Sequence, residues 1–215
     1  MESDVNMAIM DKYPDTIGFR VLAFGQGGFR NTCENVRAIT KMADYKGMKI
    51  RMPSTASFTD TFSALGANPT PLAYSECFTA VSQGTIDGVL LPTGSTYSGN
   101  FYEVCDYMVQ DRVFFNALAL TMSELTWDSL DPQVQEMLLE CAKSASELQE
   151  QQAADLELTQ LKDMEENHGM TITYAEDFDT TGLAEACQKV YDDCKAAIGE
   201  ESFNAQMEWL ENYRK

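Results

Sequence analysis

Apolar and polar positions alternate in short blocks through the first half of the chain. Residues 19–24 read as a strand, followed by the glycine turn Gly25-Gln26-Gly27-Gly28. Residues 49–52 read as a second strand, stopped by Pro53. Residues 57–65 carry a short helical pattern closed by Gly66, and residues 75–82 another closed by Gly84. Residues 86–91, closing on Val89-Leu90-Leu91, read as a buried strand ended by Pro92. This β-α-β-α-β rhythm predicts an α/β fold with a mostly parallel sheet. Residues 112–122, rich in apolar and aromatic side chains, predict a longer strand.

The period then changes. From residue 131 to about residue 167 there is no glycine, and the only proline, Pro132, falls in the first turn where it is tolerated. Val134, Met137, Leu138, Cys141, Ala145, Leu148, Leu156 and Thr159 follow roughly helical spacing, with Asp131 placed as an N-cap and Gly169 as a stop. Such a helix is about 55 Å long, too long for the interior of one small domain. It should cross two domains or serve as a backbone for them. The heptads are too irregular for a coiled coil.

Composition narrows the function. The chain has 215 residues, 44% of them hydrophobic, which suffices for one large domain or two small ones. No apolar run approaches the roughly 20 residues of a membrane span. The first residues, Met1-Glu2-Ser3-Asp4, lack the basic and apolar regions of a signal peptide. A net charge of −19 repels nucleic acid and anionic lipid, so neither is expected as a partner. Any anionic ligand would need a local, dehydrated cluster of cations.

Reactive constellations are lacking. The six cysteines form no Cys-x-x-Cys, and with His168 as the single histidine a zinc site has little to draw on. Cys187 and Cys194 lie two helical turns apart, too far for an unstrained disulfide. The glycine turn fails as a dinucleotide fingerprint, because Arg30 stands at the third glycine position. No catalytic residue, metal ligand or cofactor site is assigned, and no enzyme activity is expected.

Two of the 15 basic residues sit beside strand ends: Arg30 in Gly28-Phe29-Arg30 and Arg51 in Lys49-Ile50-Arg51-Met52-Pro53. Open α/β sheets bind ligands at the carboxyl ends of their strands. Arginine offers a planar fork for a carboxylate and stays charged when dehydrated.

These residues belong to a longer series. Gly28-Phe29-Arg30, Ala43-Asp44-Tyr45-Lys46-Gly47-Met48-Lys49-Ile50-Arg51-Met52-Pro53, Leu65-Gly66-Ala67-Asn68-Pro69-Thr70-Pro71, Tyr74-Ser75-Glu76, Ile86-Asp87-Gly88, Phe101-Tyr102-Glu103-Val104 and Trp127-Asp128-Ser129-Leu130 occur in order and at matching spacing. Together they resemble the solute-binding proteins of TRAP transporters, the DctP-type family, over nearly the whole chain but without the usual N-terminal third. The resemblance implies a two-domain periplasmic-binding-protein clamshell with a long domain-spanning helix. Residues 1–27 and 117–156 would form an incomplete first α/β domain, and residues 28–116 and 157–215 a second. It also implies an extracytoplasmic receptor that captures a small organic acid in an interdomain cleft and delivers it to membrane permease subunits, without entering the membrane itself.

Carried over by position, Arg51 would pair with the ligand carboxylate and Arg30 would be a second cleft arginine. Tyr74 would pack on the ligand, and Ser54 follows closely after the strand. One departure stands out. Where many relatives read Asp-Gly-x-Glu-Asn-Pro, with the asparagine reaching the ligand, this chain reads Asp87-Gly88-Val89-Leu90-Leu91-Pro92. Leu91 therefore implies a ligand less polar at that point. The alternative is a truncated, non-binding relative acting as an interaction or dimerisation module, with apolar surface exposed in its first domain.

Overall fold

The computed structural model describes residues 10–213. A six-stranded sheet runs in the order β3-β2-β4-β1-β5-β6, built from β1 (Phe19–Glu34), β2 (Lys49–Met52), β3 (Asn68–Pro71), β4 (Gly88–Pro92), β5 (Tyr107–Ser123) and β6 (Thr171–Thr173). β2 pairs parallel with β3 and with β4, and β5 pairs parallel with β6. β1 runs antiparallel to β4, so the sheet is mixed.

Tertiary contacts divide the described residues into two units. One gathers the residues up to Gly27, Ala117–Ala154 and the stretch from Lys195; the other gathers Gly28–Asn116 and Asp155–Cys194. The sequence reading had placed residues 195–215 in the second domain. In the structure Gly199, at φ +86°, splits the C-terminal helix into Gln188–Ile198 and Glu200–Tyr213, and a Lys195–Glu200 ion pair bridges the break.

The second unit carries apolar clusters on both faces of its sheet. Strand alternation assigns each residue to a face. Cys33, Val89, Leu91 and Met108 pack with Leu161 and Met164. Ile50, Met52, Leu90 and Val109 pack with Tyr45, Phe62 and Phe178. β4 is buried along its whole length, as an apolar run between two covered faces should be. Gly88 is required there, because a Cβ would lie 2.4 Å from the Cys33 carbonyl oxygen.

The first unit holds the opening half of β1 and the closing half of β5. Arg20 forms a two-pronged pair with Glu124, and its guanidinium lies 5.0 Å over Trp127. Gln149, on the helix Pro132–Glu166, accepts the Gln26 N–H at 2.9 Å and donates to the Gln26 carbonyl at 2.7 Å. That contact explains a misread segment: Gly25 to Gly28 is not a turn but part of continuous β1. A Cβ at Gly25 would meet the Gln149 side chain at 2.6 Å, so the glycine serves close approach rather than chain reversal. This unit also exposes Phe19, Leu118, Leu120, Met137 and Leu148, and holds an open groove of about 490 Å³ lined by Ala23, Phe24, Leu118, Leu120, Ala142 and Ala145.

The long helix is observed as Pro132–Glu166, 35 residues, with Gly169 at φ +73° beyond its end. Its buried face differs from the expected one. Met137, Leu148 and Leu156 are more than half exposed and Cys141 is exposed, whereas Ala142, Gln160, Leu161 and Met164 are buried. The helix contributes residues to both units, and its less exposed positions 138, 142, 146, 149, 153, 157, 161 and 164 follow one stripe that includes polar and small residues, which the apolar pattern alone does not pick out.

Candidate functional site

At the carboxyl edge of the second unit's parallel strands, Arg51 comes from β2 and Arg30 from β1, with β4 between them. On β2, Ile50 and Met52 enter one apolar cluster, which turns Arg51 to the opposite face. Arg51 is only 6% exposed, and its Nε donates to the Leu72 carbonyl at 2.8 Å. Arg30 lies on β1 opposite Pro92 of β4. Its Nη2 donates to Asn116 Oδ1 at 3.0 Å, and its guanidinium stands 5.2 Å from the Phe58 ring centroid. Burial, and then the positive charge of Arg51, hold the Arg30 guanidinium below its ordinary value.

Two guanidinium groups that feel each other's charge need a counter-ion. Among the described residues neither lies within 4 Å of a carboxylate. Most of the described lysines and arginines likewise make no ion pair, so what sets Arg51 apart is its burial. An edge bearing two partly dehydrated forks, both anchored through neutral oxygens, is suited to a small anion.

The other residues singled out in the sequence fall in different settings. Tyr74 opens the helix Tyr74–Ser82, half-exposed, with its ring tilted against Phe101 and its hydroxyl 3.4 Å from the Ser95 carbonyl. Ser54 is exposed in the short link between β2 and the helix Ala56–Ala64. Leu91 is 3% exposed in the Cys33 cluster. Its side chain packs into that core from the β4 side.

Opposite Leu91 in the β1–β4 register stands Asn31, which the sequence reading passed over. Its Nδ2 donates to Thr93 Oγ1 at 2.8 Å, and Thr93 Oγ1 donates to Glu157 Oε1 at 2.8 Å. Asn31 Oδ1 is buried without a donor among the described residues. The only sequence signal was a polar side chain in a run that is otherwise buried on that face.

The buried thiols are chemically quiet. Burial pushes the Cys33 thiol up to about 12 and raises Cys105 and Cys77 as well. His168 stacks on Tyr102 and faces Asp163 at 3.3 Å, and Asp163 also accepts the Tyr97 hydroxyl, so the histidine is part of a surface polar network. Among the described residues no group of side chains is arranged to hold a metal ion, and no helix is long and apolar enough to cross a membrane.

Known proteins resemble this chain in sequence and in fold. The family model described as DctP, bacterial extracellular solute-binding protein family 7, matches residues 1–197. A solute-binding protein of Roseobacter denitrificans is 41% identical over 128 residues, which is 60% of this chain and 39% of that protein. A TRAP periplasmic solute-binding protein of Ochrobactrum anthropi, solved with its C-terminus bound in the ligand-binding pocket, superposes with TM-score 0.90 at 31% identity, covering 100% of this chain and 66% of that one. One from Ralstonia eutropha with bound (S)-2-acetolactate superposes with TM-score 0.84 at 28% identity, covering 95% of this chain and 66% of that one. The chain thus spans from about two fifths to two thirds of the length of these relatives. The family is one of transport receptors rather than enzymes, and this chain belongs to it: a member of family 7 of the bacterial extracellular solute-binding proteins, the DctP family of TRAP receptors.

Proposed function

We propose that this protein is the extracytoplasmic receptor of a TRAP transporter, that it captures a small organic acid through Arg51 and Arg30, and that it delivers the acid to a membrane permease. One observation carries the reading: two neighbouring arginines, one of them 6% exposed, stand without a carboxylate partner in a chain of net charge −19. A ligand carboxylate would supply the missing counter-ion. Dehydrating both ions offsets much of the Coulomb gain, so the pair contributes specificity more than raw affinity. The Ralstonia relative, with its bound 2-hydroxy-3-oxo acid, supports a small organic acid as the class of ligand. Tyr74 and Ser54 border the same edge and complete the proposed contacts.

A thermal-shift panel tests the reading, with C4-dicarboxylates, 2-oxo acids, aromatic acids, sugar acids and amino acids. An acid at 100 times its dissociation constant stabilises the folded state by about 2.7 kcal/mol. Arg51→Ala should abolish the shift, and Arg51→Lys should weaken it strongly because one ammonium cannot reproduce the fork. A panel without any shift would favour the second reading, an interaction module. The exposed Leu118 and Leu120 and the apolar groove of the first unit are what speak for that alternative.

A further inference from the structure

β5 changes face in mid-strand. Val109 belongs to the Tyr45 and Phe62 cluster, and Asp111 accepts the Tyr45 hydroxyl, so odd-numbered residues face that side. Three residues later the parity is reversed. Phe114 packs against Phe58 at 4.4 Å and stacks over Phe62, and Asn116 accepts from Arg30. Phe115 has moved to the other face, where it meets Phe29 edge-on at 5.2 Å. A strand has a period of two, so this reversal requires one extra residue.

That residue is Arg112. It sits at φ +51°, in the left-handed region that favours glycine, within a 17-residue strand. Its side chain is exposed over the Phe29 ring at 5.6 Å, which accounts for where the guanidinium lies but not for the backbone. The backbone is held by Asp111. Asp111 Oδ1 accepts the Val113 N–H at 3.3 Å across the bulge, and Oδ2 accepts the hydroxyls of Tyr45 and of Thr32, the latter at 3.1 Å. Thr32 lies two residues from Arg30 on the same face of β1.

We propose that Asp111 is a positioning residue of the arginine pair: its carboxylate fixes a one-residue bulge at Arg112, and the bulge turns Asn116 and Phe114 toward Arg30. Without the bulge, Val113 and Phe115 would face Arg30, and the guanidinium would lose its amide acceptor and the ring that backs Phe58. Asp111 is a costly choice for this task. It is 4% exposed, and among the described residues no cation pairs with it. The groups facing it are Tyr45 and Thr32, with Cys33 and Glu34 following on β1; none of these side chains carries a positive charge in any protonation state, and burial favours the neutral form of Tyr45, Cys33 and Glu34. Burial likewise pushes the Asp111 carboxyl up to about 6, against the opposing pull of its three donors. On protonation one of the two hydroxyls must turn from donor to acceptor, so the hydrogen bonds about Oδ2 rearrange.

The inference rests on Arg30 belonging to the acid site, and its test separates the two. In nitrogen-15 spectra of the whole chain, the Arg30 Nε–H and the Asn116 side-chain amide report their contact without any ligand. From about pH 7.5 to about pH 5 both signals should move with one shared midpoint. Asp111→Asn should remove that titration. Arg112→Gly, which suits the left-handed conformation, should keep both signals in place. Where Asp111→Asn fails to fold, Tyr45→Phe removes a donor that favours the carboxylate and should raise the midpoint. Signals that do not titrate, or that titrate unchanged in Asp111→Asn and Tyr45→Phe, overturn the proposal. Calorimetry with D-galactonate, whose own carboxyl stays ionised in this range, gives the second arm. Its affinity should fall by up to about tenfold per pH unit toward pH 5, the limit for one linked proton, and should be flat in Asp111→Asn. Binding independent of pH overturns the link to the ligand. Absence of galactonate binding at every pH counts against that acid as ligand, and the ligand-free spectra then decide the positioning role.

Discussion

Arg51→Met separates a binding residue from a structural one. Arg51 is 6% exposed and makes one hydrogen bond, from its Nε to the Leu72 carbonyl. An ion buried to that degree pays an effective penalty of several kcal/mol. One charge-assisted hydrogen bond returns about 1.5–3 kcal/mol. Methionine has a similar reach and no charge, and it adapts to irregular gaps. The exchange leaves the Leu72 carbonyl without its donor, at about 1 kcal/mol. The balance predicts a free protein more stable by about 1–2 kcal/mol. For a chain of this size that raises the melting temperature by about 2–8 °C. Thermal unfolding followed by circular dichroism, without ligand, gives the first reading. The acid panel gives the second, where the variant should lose about 2–5 kcal/mol of carboxylate binding. Arg20→Met is the control, since Arg20 has Glu124 and Trp127 as partners and its loss should lower stability slightly. If Arg51→Met melts several degrees below the parent protein, Arg51 is held for structure. If it binds an acid within tenfold of the parent, the anchor lies elsewhere.

Other outcomes follow from the same geometry. The Asp111 carboxyl rises from an ordinary 3.8 to about 6, so the stability it contributes is complete below pH 4 and is lost as pH rises through 6. The difference is about 3 kcal/mol, and Asp111→Asn should flatten the pH dependence of urea unfolding relative to the parent; parallel curves would mean that this carboxyl is not the titrating group. Gln149→Ala leaves the Gln26 N–H and carbonyl unpaired and should cost about 1–3 kcal/mol, with faster hydrogen exchange at Gln26 as the local signature. In the folded chain a thiol reagent should modify the exposed Cys141 quickly and leave Cys33, Cys77 and Cys105 untouched until unfolding; rapid labelling of Cys105 would contradict the burial of the Cys33 cluster.

Segments whose ends are marked by backbone chemistry were legible in the sequence. β2 stops at Pro53, the helix Ala56–Ala64 is followed by Gly66 at φ +86°, and the helix Tyr74–Ser82 by Gly84 at φ +68°. β3 was not legible, because Asn68–Pro71 contains two prolines. It forms nonetheless, as the edge strand of the sheet with β2 as its only neighbour, where missing N–H donors can face outward. The glycines of β1 were read as a turn because glycine freedom and glycine compactness look identical in a sequence. What decides between them is Gln149, which arrives from a residue more than one hundred positions away.

The site divides in the same manner. Arg51 and Arg30 were legible because a guanidinium beside a strand end is unusual in so acidic a chain. That Leu91 packs into the core was not legible, because its surroundings are set by strand pairing. The polar atom on that face belongs to its cross-strand neighbour Asn31, a pairing set by register and not by spacing. The bulge was least accessible of all. Arginine has no preference for the left-handed region, so nothing local announces that residue 112 leaves the strand period. Counting by twos from Val109 assigns Val113 and Phe115 to the Arg30 side and Asn116 to the opposite one. The structure does the reverse, because a buried carboxylate, two hydroxyls and one N–H hold the extra residue in place. Those partners come from β1, from the turn Met42–Tyr45 and from β5 itself, so the register of the site is a tertiary property. A side chain's face in a long strand is therefore established only up to the first irregular residue, and here that residue lies four positions before the one that touches the arginine.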